Sequence, residues 1–371
     1  MKPLSGFERI DRILRRQPVD RIGLCEALWS DTIKKWTAEG HLRENESISA
    51  HFGYDLDDFN PFRLMGDIDH EKKVMEETDD AVIYEDGNGV VQKRMKNVTN
   101  IPQLIRFKVR TQNDWERDIK PLLKPDRARL NIEGYKKAMA AARQNQQFFF
   151  VSSMNVFELM RALCGHETIL VAMALEPEWI QDMVDVYAQL IVDLMDMLFT
   201  EAGQPDGVWF FEDMGFKEHS FFSPAMYHDL IQPGHKKTMQ YAHDRNLPVV
   251  CHCCGMVEQL IPGLIESGID CLQAIEVKAG MDLNRLYHRF GDRISFIGGI
   301  DVRVLFNHDK KEIDAELESK IPVVMGHYGY VLHTDHSVPN CVEYDAYRYF
   351  IKKGLELGTY PEWQGNKTDE S

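Results

Sequence analysis

Residues 207–213 read Gly-Val-Trp-Phe-Phe-Glu-Asp, and residues 248–255 read Pro-Val-Val-Cys-His-Cys-Cys-Gly. A stretch of helical character, residues 224–246, lies between these two runs. Each run is apolar without alternation, which is typical of a strand in a parallel sheet that is covered on both faces. A strand, a helix and a second strand in this order predict a βαβ unit.

The same pattern extends along the chain in both directions. Further runs of strand length occupy residues 21–28, 148–153, 269–275, 294–300 and 330–332, and a long helical stretch occupies residues 158–200. The runs end in polar residue types, and polar groups at the carboxyl ends of strands are typical of a (β/α)8 barrel. An open doubly wound sheet shares that polarity, but no G-x-G-x-x-G follows any run. We therefore predict an α/β fold of the (β/α)8 TIM-barrel type.

The N-terminal part carries additions to this barrel. Residues 6–16 have apolar side chains at helical spacing, and residues 80–94 contain two β-like runs around an Asp-Gly-Asn-Gly turn, which indicates a hairpin. No internal repeat or long linker divides the chain. We predict a single domain over residues 1–371, in which residues 1–145 contribute an N-terminal helical extension, the first strand and a β-hairpin insertion.

Composition excludes several classes of protein. The 371 residues include 43 Lys+Arg and 59 Asp+Glu, and the resulting charge of -16 disfavours a nucleic acid partner. No stretch approaches the ~18 apolar residues of a membrane span, and the start is charged, without an apolar secretion segment. We expect a cytoplasmic protein that does not bind membranes. Seven cysteines are too few for a disulfide framework, and three of them crowd into four positions.

The sharpest chemical feature is the pair His252 and Cys254. Alternation along a strand sends these two side chains to one face, and an imidazole and a thiolate suit Zn²⁺. A catalytic zinc site has three protein ligands and one open position. The residues alone leave the third ligand open between the turn 333–339 and the acidic pair Glu212 and Asp213. They also leave open that His252 and the cysteines are ordinary core residues.

Other polar residues follow strand ends and are candidates for substrate contact or proton transfer. Buried acids at such positions need a cation, a hydrogen-bond network or a raised pKa, although capping of the next helix is an alternative for several of them. We expect catalytic roles for Glu212 and Asp335. We expect substrate contacts from Glu26, Asp213, Gln273 and Asp301.

Taken together, the motifs resemble the uroporphyrinogen decarboxylase-like superfamily, and within it the corrinoid-dependent methyltransferase branch. The resemblance covers nearly the whole chain. Its motifs are FERIDRILRRQPVDRIG (7–23), FFEDMGFKEHSFFSPAMYHDLIQPGHKK (210–237), VVCHCCGMVEQLIPGLIESGIDCLQAIEVKAGMD (249–282), FIGGIDVRVL (296–305) and GYVLHTDHSVPN (329–340). The family fold that it implies is a (β/α)8 barrel with an N-terminal extension.

The resemblance also implies a metal site. Methyltransferases of that branch bind zinc through H-x-C on one strand and a cysteine after the last strand, so His252 and Cys254 match the first two ligands. The third falls on His336, where the decarboxylases also carry a histidine. The implied set of one thiolate and two imidazoles is a departure from the branch, and it weakens the case for thiol activation.

The implied function is a zinc-dependent methyltransferase that moves a methyl group between a small methylated substrate, such as a methyl ether, and a corrinoid protein. Glu212 would be the proton donor or a ligand in the open position. The corrinoid (cobalamin) would be carried by a partner, because the D-x-H-x-x-G pattern of its binding modules is absent. The alternatives are a metal-independent, decarboxylase-like lyase that acts on a carboxylated substrate and a non-catalytic binding protein. A decarboxylase is disfavoured because its arginine-bearing motif has no convincing match around residues 15–21.

Overall fold

The computed structural model describes residues 2–96, 102–361 and 363. Within these ranges the strands are β1 (Gly23–Leu24), β2 (Leu56–Phe59), β3 (Lys73–Glu77), β4 (Ala81–Glu85), β5 (Val91–Met95), β6 (Gln103–Arg106), β7 (Phe148–Met154), β8 (Gly207–Phe211), β9 (Val249–Cys253), β10 (Cys271–Ala274), β11 (Ser295–Gly298) and β12 (Tyr330–Leu332). They form one sheet of eight strands and one of four.

The eight-stranded sheet confirms the predicted barrel. Its strands lie side by side in the order β1, β12, β11, β10, β9, β8, β7 and β2, and all neighbours are parallel. Consecutive strands from β7 onward are adjacent, as successive βαβ units require. One barrel strand, β2, was not predicted, because Asp57 and Asp58 interrupt its short apolar pattern.

Helices cover the outside of the barrel. They are α1 (Gly6–Leu14), α2 (Ser30–Ala38), α3 (Ile48–Phe52), α4 (Gln112–Asp114), α5 (Ile132–Gln144), α6 (Val156–Leu175), α7 (Pro177–Ala202), α8 (Pro224–Met226), α9 (Gln232–His243), α10 (Ile261–Ser267), α11 (Leu283–Phe290), α12 (Lys310–Val324) and α13 (Tyr344–Leu357). In the described part of the chain, none of these helices has the length and apolar character needed to cross a membrane.

The long helix predicted over residues 158–200 is in fact two helices, α6 and α7. The break lies at Glu176, which has the non-helical angles φ -136° and ψ 54°. Pro177 explains it, because a proline ring disfavours helical geometry at the preceding residue while suiting the first position of a new helix. A second kink inside α6 lies at Gly165, whose φ of 79° favours glycine.

The predicted hairpin is confirmed and forms part of a larger insertion. Strands β4 and β5 pair antiparallel, and β3 and β6 extend them to a four-stranded sheet. Asp86 organises the turn, since its Oδ1 accepts the backbone N–H groups of Asn88 at 2.9 Å and Val90 at 3.0 Å. Gly89 completes the turn with a φ of 70°.

Helix α1 lies across the N-terminal ends of the barrel strands. A capping box starts it: Ser5 Oγ accepts the Glu8 N–H at 3.2 Å, and Glu8 accepts the Ser5 N–H at 2.9 Å. Its apolar face buries Ile10 and Ile13 completely. The hydroxyl of Ser295, the first residue of β11, donates to the carbonyl of Ile13 at 2.7 Å. The helix thereby seals the end of the barrel opposite to the strand carboxyl ends.

The barrel closes between β1 and β2 through Asp55. Its backbone N–H donates to the Leu24 carbonyl at 2.8 Å, and its carboxylate accepts the Leu24 N–H at 2.8 Å. The same carboxylate accepts hydrogen bonds from Arg9 at 2.6 Å and Arg21 at 2.7 Å. The side chain of Asp55 therefore replaces some of the backbone hydrogen bonds that join neighbouring strands elsewhere in the sheet.

Replacing Asp55 with asparagine should lower the free energy of unfolding by about 3–5 kcal/mol, because the buried Arg9 then loses a charged partner. Urea denaturation followed by circular dichroism measures the change. The matched control is Asp11→Asn, which removes an exposed carboxylate paired with Arg15 and should cost about 0–1 kcal/mol. Equal losses in the two variants would contradict a central role for Asp55.

Candidate functional site

A cavity of about 310 Å³ lies at the carboxyl ends of the barrel strands. This volume is near the lower end of the range of about 300–1,000 Å³ for small-molecule sites, so the cavity suits a small substrate. Among its described lining residues there is no lysine or arginine. The wall contains the aromatic residues Trp29, Trp209 and Phe211 and the acidic residues Glu26, Asp58, Asp213 and Asp335.

The strand register places His252 in this wall. His252 pairs with Phe211 of β8 on one side and with Gln273 of β10 on the other. The Gln273 side-chain oxygen forms a hydrogen bond with Nδ1 of His252. Because an amide oxygen only accepts, Nδ1 carries the proton in this contact. The other ring nitrogen, Nε2, is directed toward Cys254 and Asp213.

Three potential metal ligands converge at this point. In the described part of the chain, Asp213, His252 and Cys254 are the only group of three or more such residues whose ligand atoms all lie within 4.8 Å of one another. His252 Nε2 is 3.3 Å from Cys254 Sγ and 3.4 Å from Asp213 Oδ1. Asp213 therefore occupies the place beside His252 and Cys254 that we predicted for His336.

Close backbone packing holds the Asp213 and Cys254 loops together. A Cβ on Gly215 would lie 2.4 Å from the Cys254 carbonyl oxygen, and one on Gly255 would lie 2.4 Å from the Gly215 carbonyl carbon. Neither position has room for a larger residue. The Cys254 N–H also donates to Asp213 Oδ1 at 3.0 Å. These contacts fix the carboxylate of one loop against the thiol of the next.

The three groups shift one another's pKa values. Burial raises the pKa of Asp213, but the hydrogen bond and charge of His252 outweigh it and hold that pKa at about 2. Burial lowers the pKa of His252, yet Cys254 and Asp213 raise it well above its usual value. The site therefore attracts positive charge, carried either by the imidazolium proton or by a metal ion that displaces it.

Glu26 and His333 form a second polar pair in the cavity wall. Glu26 Oε1 is 3.1 Å from His333 Nε2, and both side chains are almost completely buried. Burial raises the pKa of Glu26 to about 8 and lowers that of His333 to about 4. Glu26, for which we predicted a substrate contact, lines the cavity, and so does His333, which the sequence offered only as one candidate for the third metal ligand in the turn 333–339.

Glu212 faces away from the cavity. Its two oxygens accept the backbone N–H groups of Phe157 at 2.8 Å and Glu158 at 2.9 Å, at the start of α6. His235 Nε2 lies 2.6 Å from its Oε1, and both side chains are fully buried. Glu212 is not among the residues that line the cavity. Its position supports helix anchoring rather than the catalytic role that we predicted for it.

Asp335 and His336 line the cavity, but their contacts differ from the predicted ones. Both oxygens of Asp335 accept backbone N–H groups, from Val277 at 2.9 Å and Val302 at 3.0 Å. Asp335 thereby ties the last loop to the loops after β10 and β11. The next residue, His336, stacks on Trp29 with ring centroids 6.1 Å apart. This anchoring explains why His336 lies outside the group of three ligands.

Asp301 lies outside the cavity wall. Its carboxylate accepts the Arg303 N–H at 3.0 Å and the Arg303 Nε–H at 2.8 Å, and so caps a short 3-10 helix. Burial alone would raise the pKa of Asp301, but the contacts with Arg303 outweigh burial, so the pKa is lowered. This position gives no support to the predicted substrate contact.

Sequence reasoning gave no role to two residues of the cavity wall, Asp58 and Trp29. Asp58 lies within the unpredicted strand β2, and Trp29 lies in the loop after β1. Neither had a signal in the sequence, because loop paths and short polar strands leave no periodic pattern.

A second, outer groove of about 550 Å³ shares Asp213 and Cys254 with the cavity. It contains the aromatic side chain of Phe216, which is 58% exposed, and the cationic residues Arg161, Lys217 and Lys278. Asp213 and Cys254 can therefore be approached from two sides, by a small molecule in the cavity and by a larger group in the groove.

Comparisons with known proteins agree with this fold. A family model described as Uroporphyrinogen decarboxylase (URO-D) matches residues 101–354. A solved structure described as a methyltransferase from Methanosarcina mazei matches with a TM-score of 0.65 and 14% identity, over 95% of this chain and 98% of that one. At this identity the likeness shows the fold alone.

Two further comparisons give no evidence about the fold or the function of this protein. A Xaa-Pro dipeptidase with bound methionine in the active site matches with a TM-score of only 0.26 and 13% identity, over 46% of this chain and 45% of that one. The search of curated proteins finds no match.

Replacing Asp213 tests whether the three converging groups bind zinc. Asp213→Asn should weaken zinc binding by at least about 10–100-fold, the loss typical of damage around a metal site. The control, His336→Gln, should leave the affinity unchanged, because His336 stacks on Trp29 instead. Competition against a chromophoric zinc chelator measures both. A loss in His336→Gln but not in Asp213→Asn would restore His336 as the ligand.

Gln273 should act by orienting the imidazole. Gln273→Leu removes the acceptor for Nδ1 of His252 and should weaken zinc binding by about 10–100-fold. Gln240→Leu, which changes an exposed glutamine on α9, is the matched control and should have no effect. The same competition titration applies, and equal affinities in the two variants would exclude this orienting role.

Proposed function

The chain belongs to the uroporphyrinogen decarboxylase (URO-D) family, and from that premise we propose that it is a methyltransferase of this superfamily. The proposed reaction moves a methyl group between a small methylated substrate, such as a methyl ether, and a corrinoid protein, with zinc as cofactor. One observation carries the proposal: Asp213, His252 and Cys254 meet where the small cavity joins the outer groove. A group transfer between two reactants requires a site that both reactants can reach at the same time.

The three donors fit zinc. Ligands about 2.0–2.3 Å from a tetrahedral ion lie about 3.3–3.8 Å apart. The distances of 3.3 Å and 3.4 Å from His252 Nε2 to Cys254 and Asp213 match this spacing. Nitrogen, sulfur and oxygen are all zinc ligands, and three protein ligands leave one position open, as in catalytic sites.

Each residue then has a defined task. Zinc, when bound, supplies Lewis acidity toward the heteroatom that carries the methyl group. Gln273 fixes the ring of His252, and the loop contact at Gly215 fixes Asp213. The aromatic walls exclude water, which strengthens every charge interaction in the cavity.

The corrinoid would approach through the outer groove. The groove is larger than the cavity and has an exposed aromatic side chain, Phe216, which suits contact with a broad, partly apolar ring system. Lys217 and Lys278 add positive charge at its edge, in a chain that carries -16 overall. This arrangement supports a corrinoid carried by a separate protein as the methyl acceptor.

No specific observation favours the lyase alternative. A carboxylated substrate requires cationic side chains, and the described cavity wall offers acidic ones instead, with neither lysine nor arginine. The volume of about 310 Å³ also suits a small molecule better than a macrocycle. We therefore propose only the transferase.

Methyl transfer to free reduced cobalamin tests the proposal. The zinc-loaded protein with 2-methoxyphenol as donor should form methylcobalamin, which is followed by its absorption spectrum. Cys254→Ala should slow the reaction by more than about 100-fold, because it removes a proposed ligand rather than an outer contact of the site.

Cys341→Ala is the matched control, since Cys341 is an exposed cysteine outside the cavity, and it should keep the wild-type rate. Less than about one tenth of an equivalent of zinc after expression with zinc would remove the Lewis-acid role, given that a site of this kind binds its metal tightly. Equal rates in Cys254→Ala and the wild type would contradict the proposed site.

A further inference from the structure

The pair Glu26 and His333 is a buried acid–base pair that the proposed zinc site does not use. Strands β1 and β12 are neighbours, with Leu24 beside Leu332, so the residues that follow them lie side by side. Glu26 Oε1 is 3.1 Å from His333 Nε2, and the side chains are 0% and 5% exposed. Both residues line the cavity that also contains His252 and Cys254.

The contacts of the pair leave one proton to be shared between them. His333 Nδ1 faces the Thr334 carbonyl oxygen, which only accepts, so Nδ1 carries a proton. The Glu26 oxygens accept backbone N–H groups from Ala27 at 3.0 Å and Thr334 at 2.9 Å. The two backbone N–H protons do not exchange between these groups. The remaining proton lies between Glu26 Oε1 and His333 Nε2.

The surroundings favour the neutral form of the pair. Burial raises the pKa of Glu26 to about 8, and burial lowers the pKa of His333 to about 4. Both shifts place the shared proton on Glu26 near neutral pH. The titratable groups that act on the pair in this structure are Cys25, Tyr54, His252, Tyr330, Asp335, His336 and Tyr347.

We propose that Glu26, supported by His333, is the proton donor to the leaving oxygen of a methyl ether substrate. This inference rests on the proposed function. In the step, the bond between oxygen and the methyl carbon breaks, and the electron pair of the reduced corrinoid cobalt forms the new bond to carbon. The oxygen keeps the electrons of the broken bond and takes the Glu26 proton, and water that enters the cavity after the product leaves returns a proton to Glu26.

The chemistry of the cavity gives a reason for this step. An alkoxide or phenolate that leaves without a proton would add negative charge to a wall that contains Asp58, Asp213 and Asp335. General acid catalysis avoids that charge and typically contributes about 10²–10⁴-fold to a rate. Among the described wall residues, Glu26 is the acid that both lies beside a ring nitrogen able to accept its proton and has a pKa that burial raises to about 8.

The test compares two methyl donors in the cobalamin assay. With 2-methoxyphenol the leaving oxygen needs a proton, whereas with phenyltrimethylammonium the leaving amine is neutral and needs none. Glu26→Gln should slow transfer from 2-methoxyphenol by about 10²–10⁴-fold and leave transfer from phenyltrimethylammonium nearly unchanged. Asp58→Asn, which changes another acid of the same wall, is the control and should change both rates by the same factor.

The pH profile gives a second readout. With 2-methoxyphenol, the wild-type rate should fall as the pH rises through about 8, because Glu26 then loses its proton, given its raised pKa. The fall should be absent in Glu26→Gln. Equal losses with both donors would overturn the proton-donor role while leaving the transferase intact. Transfer from neither donor by the wild type would instead overturn the proposed function and this inference with it.

Infrared spectroscopy tests the protonation state without turnover. At pH 6 the difference spectrum of the wild-type protein minus Glu26→Gln should show the carbonyl stretch of one protonated carboxylic acid. Gln is close to Glu in shape: its amide oxygen can accept the Thr334 hydrogen bond and its amide N–H can donate to Nε2 of His333, while the exposed Ala27 N–H bonds to water, so we expect the variant to fold. A wild-type spectrum identical to that of Glu26→Gln would show an ionised Glu26 and overturn the inference.

Discussion

The carboxylate of Asp55 is the contact on which the closure of the barrel depends. Strands β1 and β2 stand at the two ends of the sheet order, and β1 has only two residues, so little backbone pairing is available to join them. Asp55 supplies the connection through Leu24 and is neutralised by Arg9 and Arg21. Because Glu26 lies two residues after β1, its position in the cavity depends on this closure. An ionic cluster at the amino ends of the strands therefore helps to position a residue of the cavity at their carboxyl ends.

The cavity is acidic, and each acid is accommodated by a different physical means. Asp213 is balanced by His252, Asp335 accepts two backbone N–H groups, and Glu26 has a pKa that burial raises to about 8. Asp58 keeps a raised pKa because burial outweighs its hydrogen bond to a neighbouring serine. No lysine or arginine of the described wall contributes. Such a site accepts a metal cation or a neutral substrate readily and opposes an anionic one.

The sequence predicts the barrel well and the site in part. Buried parallel strands have recognisable apolar runs, whereas β2 was missed because two aspartates lie within its four residues. His252 and Cys254 were paired correctly on one face, since alternation along a strand is a local rule. Which residue lies third beside His252 and Cys254 depends on the paths of the loops after the strands. These are set by contacts between distant segments, such as the anchoring of Asp335 that directs His336 toward Trp29, and no local pattern encodes them.

In the proposed zinc site, the identity of the third ligand would affect the kind of bond that the site can break. A carboxylate oxygen is a harder ligand than a thiolate, so a zinc ion held by Asp213, His252 and Cys254 would prefer an oxygen atom in its open position more than a thiolate-rich site does. One thiolate and one carboxylate also bring two negative charges, which balance a divalent ion. A neutral ether could then bind without adding charge to the acidic wall, and a protonated Glu26 would allow its oxygen to leave as a neutral alcohol. The proposed ligand set and proton donor, together with the charge of the wall, thus favour the same class of substrate.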